Sequence, residues 1–193
     1  MPDIDIDFAD RSKALEHFEH VTAAIKEDDN TFKKHNTGVY CTSVPYNPIT
    51  GLSTIDYKEA EARGYFKIDF LNVSIYKDVK DEAHLKQLME TEPLWDLLEQ
   101  DDFTNLLFHV NGHGYLMRQM KPTSVEELAM CLALIRPAKK HLIGKSWQEI
   151  GMTIWEKPEN GEYYFKKAHA VAYAMAIVVQ MNLICESLSY GFN

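Results

Sequence analysis

Aspartate and apolar residues alternate strictly at the start of the chain, from Asp3 to Phe8. A period of two is strand geometry, which puts the aspartates on one face and Ile4, Ile6 and Phe8 on the other. The apolar face can pack against a core, while the acidic face carries like charges that repel one another. Aspartate is a poor strand former, and hard cations such as Mg²⁺ take carboxylate oxygens. The pattern therefore favours a metal site, with a solvated acidic strand edge as the alternative.

Composition is that of a soluble globular protein, with 193 residues, 46% of them hydrophobic and 25% charged. This length suits one domain, or one domain with an appendage. A net charge of −9 argues against simple nucleic-acid binding, which needs a basic surface. Cys41, Cys131 and Cys185 are far apart, so neither a disulfide framework nor a zinc knuckle is expected. These features, together with the absence of a signal peptide pattern, predict a cytoplasmic protein.

The first third of the chain reads mainly as strands. Asp10 can cap a helix that runs to about Lys26, and the charged residues 27–34 read as a loop. Strand formers follow over Gly38–Val44 and again, with alternation, over Tyr65–Phe70. The second of these strands puts Lys67 and Asp69 on one face.

From about residue 79 the pattern becomes helical. A short apolar helix is predicted over Leu94–Leu98, and Ser124 and Glu127 predict a capping box for a helix that stops before Pro137. A long apolar helix begins near Lys166; its polar residues favour a buried helix over a membrane span, so no membrane partner is expected. Strands before helices predict an α+β fold, divided into residues 1–78 and 79–193.

Several segments, in order, resemble motifs of the bacterial replicative family C DNA polymerases, the DNA polymerase III alpha subunits. Pro2–Phe8 resembles the palm motif P-D-[FI]-D-[IVL]-D-F, and Lys67–Leu71 resembles K-[FIM]-D-F-L. His35–Val39 resembles H-A-A-G-V, and Phe165–Ala174 resembles F-N-K-S-H-[AS]-A-A-Y-A of the fingers. Between them, three segments follow the family pattern more loosely: Leu107–Gly114, Leu116–Pro122 and Leu128–Pro137.

The chain also departs from the family. The thumb between the first two motifs is missing or reduced, and the upstream G-S segment that grips the triphosphate is not seen before Met1. Arg136–Lys139 stands where the family has R-P-G-P, and most of the fingers insert before Phe165 is gone. The resemblance therefore implies a split or miniaturised polymerase, of the kind a phage or another mobile replicon carries, completed by a second polypeptide.

The resemblance implies a small palm-like sheet with an acidic metal site, followed by a helical fingers-like region. Asp5, Asp7 and Asp69 would be the catalytic metal ligands for two Mg²⁺ ions roughly 3.5–4 Å apart, with Mn²⁺ as a substitute. Asp3 would support them without binding metal directly. The ions would drive nucleotidyl transfer from a dNTP to the primer 3′-hydroxyl of a primer-template DNA.

Basic residues supply the remaining candidate contacts. Lys67 could neutralise a phosphate or form an ion pair with Asp5 or Asp7. His35 could touch the nucleic-acid backbone. A further group could hold the incoming triphosphate: Arg136, Lys166, Lys167 and His169. For the last three of these, the alternative is the solvated start of a helix.

His109 and His113 have the i, i+4 spacing of a helical zinc pair, but the glycines around them favour a structural role. Two other functions stay open. One is a non-catalytic, polymerase-derived interaction module of a replication complex. The other is a nucleotidyltransferase that acts on a free nucleotide or on RNA.

Overall fold

The computed structural model describes residues 4–27, 31–159 and 162–190. Asp3 therefore lies outside the described residues. The protein is α+β and divides into two compact units, Met1–Asp78 and Val79–Asn193.

The first unit is built on a mixed sheet, which has six strands among the described residues. Their bounds are β1 Ile4–Phe8, β2 Val21–Lys26, β3 Phe32–Tyr40, β4 Tyr46–Asn47, β5 Leu52–Asp56 and β6 Ile68–Asn72. The spatial order is β1-β6-β3-β2-β5-β4. Strands β1 and β6 are parallel, as are β2 and β5, and the other neighbours are antiparallel. The ends of β1 and β6 that bear aspartates therefore lie side by side.

Two short α-helices accompany the sheet, α1 Arg11–Leu15 and α2 Tyr57–Ala62, and a 3-10 helix spans Ser74–Asp78. The Asp10 carboxylate caps α1 by accepting hydrogen bonds from the backbone N–H groups of Ser12 and Lys13. The predicted helix to Lys26 is wrong beyond Leu15, because Val21–Lys26 is strand β2. Its β-branched residues suit a strand, and pairing with β3 and β5 overrides the helical spacing.

Strand β1 is present, but its faces are not buried as predicted. Ile4 and Ile6 keep 41% and 38% of their surface exposed, while Asp5 is half-buried. The strand lies at the edge of the sheet, where only Phe8 gains an aromatic contact, with Phe70 at 4.7 Å between ring centroids. The apolar face of β1 is thus largely uncovered within the described structure.

Two other strands are shifted from their predicted positions. Strand β3 covers Phe32–Tyr40, so it begins inside the predicted loop, and β6 starts at Ile68, three residues after the predicted Tyr65. Strand-forming residues predicted the existence of both strands, with alternation as an added signal for the second, whereas their ends depend on where the partner strands begin and stop.

The second unit is helical in its described residues. The helices are α3 Glu82–Glu90, α4 Asp101–Thr104, α5 Gly114–Met120, α6 Val125–Leu134, α7 Trp147–Thr153 and α8 Lys167–Tyr190. Two 3-10 helices cover Trp95–Glu99 and Pro137–Leu142. Helix α6 ends before Pro137, as predicted, and α8 begins one residue after the predicted Lys166.

Helices α6 and α8 form the centre of the second unit's core. Leu128, Leu132 and Ile177 are fully buried there. Ser124 caps α6 by accepting a hydrogen bond from the Glu127 N–H, but the Glu127 carboxylate accepts from the N–H of Thr123 instead of Ser124. The predicted capping box at this helix is therefore only half formed.

Helix α8 is long and apolar enough to cross a membrane by length and composition, over Lys167–Ser189. Of the window that meets this criterion, 44% is buried inside the protein. Burial of Ala170, Ala174 and Met181 in the core of the second unit is consistent with the core helix of a soluble protein.

Candidate functional site

Two of the predicted metal ligands are neighbours across β1 and β6. Asp5 lies opposite Asp69 in the parallel register, and Asp7 lies opposite Leu71. Because side chains alternate along a strand, Asp5, Asp7 and Asp69 share one face of the sheet. Residues sixty-four positions apart in the chain are thus brought together by strand pairing.

The Asp69 carboxylate has two close partners. The Thr37 hydroxyl donates a hydrogen bond to Asp69 Oδ1 at 2.7 Å, and the Lys67 ammonium forms an ion pair with Oδ2. The side chains of Asp69 and Lys67 are only 15% and 18% exposed, so solvent screens this pair incompletely. Lys67 therefore does face the acidic site, where it forms an ion pair with Asp69.

Gly38 makes room for this ion pair. It lies opposite Asp69 on β3, and a Cβ at this position would be 2.7 Å from Lys67 Cδ and 3.0 Å from His35 Nδ1. A side chain here would force Lys67 or His35 to move. The glycine is needed for close packing over the strand.

The His35 side chain lies next to Gly38. Its Nδ1 accepts hydrogen bonds from the N–H groups of Gly38 at 2.9 Å and Thr37 at 3.3 Å. Burial lowers the pKa of His35, and the positive charge of Lys67 lowers it further. The ring is therefore neutral at pH 7, with its proton on Nε2. At 3.8 Å from Asp69 Oδ1, Nδ1 is too far away to donate a hydrogen bond.

Arg11 is a part of this site that the sequence reasoning missed. Its Nε donates to the Phe70 carbonyl at 3.0 Å and its Nη2 to the Thr37 carbonyl at 3.3 Å. Its backbone N–H donates to Asn72 Oδ1 at 3.0 Å. The guanidinium thus ties β3 and β6 together beside Asp69. The only signal in the sequence is its position directly after the helix cap Asp10.

Asp7 is an exposed residue on the same face of β1 as Asp5. Burial raises the pKa of the Asp7 carboxyl, and the negative charge of Asp5 raises it further. Burial likewise raises the pKa of Tyr76, with a contribution from the charge of Asp7. Both effects mark a place where an added positive charge would lower the free energy of the folded state.

The residues present fit a hard cation in their chemistry. Carboxylates from two adjacent strands are the donors that Mg²⁺ takes, and Asp7 is destabilised by its negative neighbour. Within the part of the chain that the structure describes, no group of three or more His, Cys, Asp or Glu residues is arranged to hold a metal ion. Lys67 occupies one oxygen of Asp69, so a cation would compete with this ammonium.

The remaining predicted contact residues belong to the second unit. The Arg136 guanidinium lies over the rings of Phe165, 4.7 Å from its centroid, and Tyr163, at 5.8 Å. The ring of His169 is 6.4 Å from that of Phe165. The structure therefore brings Arg136 and His169 to the same aromatic residue.

Lys166 and Lys167 are exposed, unlike Arg136 and His169. The Lys167 ammonium is 3.6 Å from a Glu126 carboxylate oxygen and 6.0 Å from the centroid of the Trp155 ring. These groups border a hollow of about 400 Å³ in the second unit. Lys167 thus interacts with residues other than those around Arg136.

His109 and His113 do not share a helix. His109 lies in a turn with a positive φ of 60°, and His113 is the residue directly before α5. The His109 ring packs between Phe108 at 4.1 Å and Tyr173 at 4.5 Å, measured between centroids. A helical zinc pair is therefore not formed.

No family model, curated protein or solved structure matches this chain.

Proposed function

We propose that the first unit carries a two-metal nucleotidyl-transfer site, with Asp5, Asp7 and Asp69 as ligands. On this proposal the chain is the palm–fingers part of a split or miniaturised family C DNA polymerase of the cytoplasm. The register that sets Asp5 opposite Asp69 on parallel strands is the observation that carries the proposal. It supplies carboxylates from two strands on one face of a sheet.

The surrounding residues have distinct tasks in this proposal. Thr37 orients Asp69 through its hydroxyl, and Arg11 holds strands β3 and β6 together. Lys67 leaves Asp69 for a substrate phosphate when a cation takes its place, which keeps the charge balanced. When bound, two Mg²⁺ ions would activate the primer hydroxyl and neutralise the transferred phosphoryl group.

Substrates and partners follow from the same proposal. The substrates are primer-template DNA and a dNTP. With a net charge of −9, the chain needs basic surface from elsewhere to hold DNA tightly. A second polypeptide that supplies the upstream palm segment would provide that surface. A neighbouring reading frame with such a segment is the first partner to test.

Manganese binding tests the metal site without any partner. The free Mn²⁺ signal in electron paramagnetic resonance is expected to fall on titration with the protein. Asp5→Asn and Asp69→Asn should each weaken binding by about tenfold or more. Asp78→Asn removes an exposed carboxylate of the same unit and is the matched control. Equal Mn²⁺ binding by all three variants would contradict the metal site.

Primer extension with Mg²⁺ or Mn²⁺ tests the reaction, with the chain alone and with the product of the neighbouring reading frame. We expect extension that depends on Asp5 and Asp69 and not on Asp78. Activity on ribonucleotides or without a template would indicate another nucleotidyltransferase. Extension that survives both Asp5→Ala and Asp69→Ala would overturn the assignment.

One observation favours a second candidate, the non-catalytic interaction module. The Lys67 ammonium already neutralises Asp69, which is the task of a cation in a metal site. A chain of this kind would bind no Mn²⁺ and would co-purify in a fixed ratio with a replication protein. Tight Mn²⁺ binding that Asp5→Asn abolishes would exclude this candidate.

A further inference from the structure

The hollow of about 400 Å³ in the second unit lies among the start of α6, helix α7 and the start of α8. Two tryptophans line it, Trp147 and Trp155, and both are partly exposed while they pack against the core of the unit. Its volume is that of a pocket for a small ligand or for one side chain of a partner. The hollow therefore offers indole rings to a group that enters from solvent.

Gly151 keeps the hollow open between the two tryptophans. It lies four residues after Trp147 and four before Trp155, so the three positions follow one face of α7 and of the turn after it. Glycine weakens the interior of a helix relative to alanine. Packing among the described residues does not require it, because a Cβ here would meet only Met130 Sδ, at the ordinary distance of 4.0 Å. A glycine that packing does not require indicates that the open space itself is used.

A cation of the chain itself already lies at the hollow. The Lys167 ammonium is 6.0 Å from the centroid of the Trp155 ring, a distance suited to a cation–π contact. The same ammonium is 3.6 Å from a carboxylate oxygen of Glu126. An indole and a carboxylate are thus arranged around one positive charge, which is the chemistry of a site for a cationic group.

Lys167 is held there only weakly. The side chains of Lys167 and Glu126 are 55% and 68% exposed, so water screens their ion pair and both side chains lose freedom in forming it. An ammonium is also compact and strongly hydrated. A guanidinium is planar, stacks on aromatic rings and offers two parallel donors to a carboxylate. Arginine is therefore the side chain best suited to displace Lys167.

We propose that this hollow binds an arginine side chain of a partner protein, with Lys167 as its displaceable internal occupant. The guanidinium stacks on Trp155 and pairs with Glu126, and its methylene chain passes over Gly151. The net charge of −9 favours the approach of a basic segment. All residues that line the hollow belong to the second unit, so the proposal does not rest on the proposed function.

NMR titration of the full chain in EDTA tests the site. The probes are blocked pentapeptides with four glycines around a central arginine, glutamine or phenylalanine, together with a short single-stranded oligonucleotide. The indole N–H signals of Trp147 and Trp155 are followed, after assignment with phenylalanine variants. The arginine peptide should shift both signals with a dissociation constant in the millimolar range. The glutamine peptide lacks the charge and should bind about tenfold more weakly.

Gly151→Ala is the most informative variant, because its effects on stability and on binding should have opposite signs. Alanine should raise the thermal unfolding temperature by favouring α7. Its methyl group should weaken binding of the arginine peptide by about fivefold or more, because it occupies part of the hollow. A merely structural glycine would not lower binding while the fold became more stable.

Two charge variants test the carboxylate and the internal lysine. Glu126→Gln should weaken binding of the arginine peptide by about threefold or more. Its matched control is Glu90→Gln, at an exposed carboxylate of the same unit that also lies near a lysine, Lys86. Lys167→Ala should tighten binding by about two- to fivefold, because it removes the competing ammonium.

Circular dichroism checks that each variant is folded. The proposal is overturned if the arginine peptide shifts neither indole signal, or if the glutamine or phenylalanine peptide binds equally well. Binding of the oligonucleotide in place of the arginine peptide would also overturn it. So would wild-type affinity in folded Gly151→Ala and Glu126→Gln, or weaker binding by folded Lys167→Ala. Failure of Mn²⁺ binding in the first unit leaves this site untouched.

Discussion

The two units of the molecule bury their apolar residues to very different extents. The second unit has a large continuous core in which every residue of α6 from Leu128 to Leu134 is buried. The first unit has a small core around Ala23, Tyr40 and Ile55, and it leaves Ile4 and Ile6 on its edge strand exposed. Stability in the second unit therefore rests on packing, whereas the first unit depends more on strand pairing and on a few polar contacts.

The same difference separates the two groups of candidate residues. In the first unit, backbone register brings Asp5 to Asp69, and polar contacts from Thr37, Lys67 and Arg11 hold the group. In the second unit, contacts with the rings of Phe165 and Tyr173 position Arg136 and His109. Substitutions that alter packing should thus act most strongly in the second unit, and those that alter polar contacts in the first.

The largest effect is expected in the core of the second unit. Leu132→Ala removes a fully buried side chain of α6 and leaves a cavity, which should lower the free energy of unfolding by about 2–5 kcal/mol. Denaturant unfolding followed by circular dichroism measures this loss. Leu94→Ala, at a leucine with 64% exposure, is the matched control and should change stability by less than about 0.5 kcal/mol. Similar losses for both variants would contradict the packing account.

A smaller loss is expected from crowding the polar site of the first unit. Gly38→Ala puts a methyl group against Lys67 Cδ and His35 Nδ1, which should cost about 1–3 kcal/mol and displace Lys67 from Asp69. Thermal unfolding and the NMR resonances of His35 report the two effects. Gly151→Ala is the control, since its nearest neighbour is Met130 Sδ at 4.0 Å and alanine favours helix α7. If Gly38→Ala were more stable than the wild type, the close approach of Lys67 and His35 to Gly38 would be contradicted.

Loss of a helix cap should have a smaller effect still. Ser146 and Glu149 form the reciprocal capping box of α7, with the Glu149 carboxylate accepting from the Ser146 N–H at 2.9 Å. Ser146→Ala is expected to cost about 1 kcal/mol. Chemical denaturation measures it, with the exposed Ser187→Ala as the control. An unchanged midpoint for Ser146→Ala would mean that the cap contributes nothing to stability.

The smallest effect concerns the pH dependence of the first unit. The folded-state pKa of Asp7 lies above its value in the unfolded chain, so the folded protein binds more protons between the two values. The contribution of Asp7 to stability therefore falls as pH rises through this interval. Asp7→Asn in EDTA should be slightly more stable than the wild type at pH 7.

This gain should vanish below about pH 4, where Asp7 is protonated in both states. Thermal unfolding across pH 3–8 measures the difference, and Asp78→Asn is the control for loss of one negative charge. A variant that is less stable than the wild type at pH 7 would show that the Asp7 charge stabilises the fold.

Local patterns predicted the second unit better than the first. The Ser124 cap and Pro137 mark the two ends of α6, and the apolar run after Lys166 marks α8. These signals act within one or two helical turns, so they do not depend on distant residues. The real capping box at Ser146 was missed although its sequence signature, serine with glutamate three residues later, is present.

In the candidate sites, residue types were predictable and their partners were not. The alternation of aspartates with apolar residues identified Asp5 and Asp7, and the resemblance pointed to Asp69. The metal-binding roles of all three stay predictions. Alternation placed Lys67 and Asp69 on one face, but nothing local indicated that Arg11 braces β3 and β6, or that the described residues offer Arg136 Nε no acceptor. Each of these depends on contacts between residues that are distant in the chain or on the conformation of a turn.

By itself, the sequence determined the α+β class and the long helices, because caps, prolines and apolar periodicity are short-range signals. Tertiary structure alone decided that Val21–Lys26 is a strand and that Ile4 and Ile6 stay exposed. It also decided that Asp5 faces Asp69. Strand pairing joins distant segments, and its free energy depends on a register that no local pattern specifies.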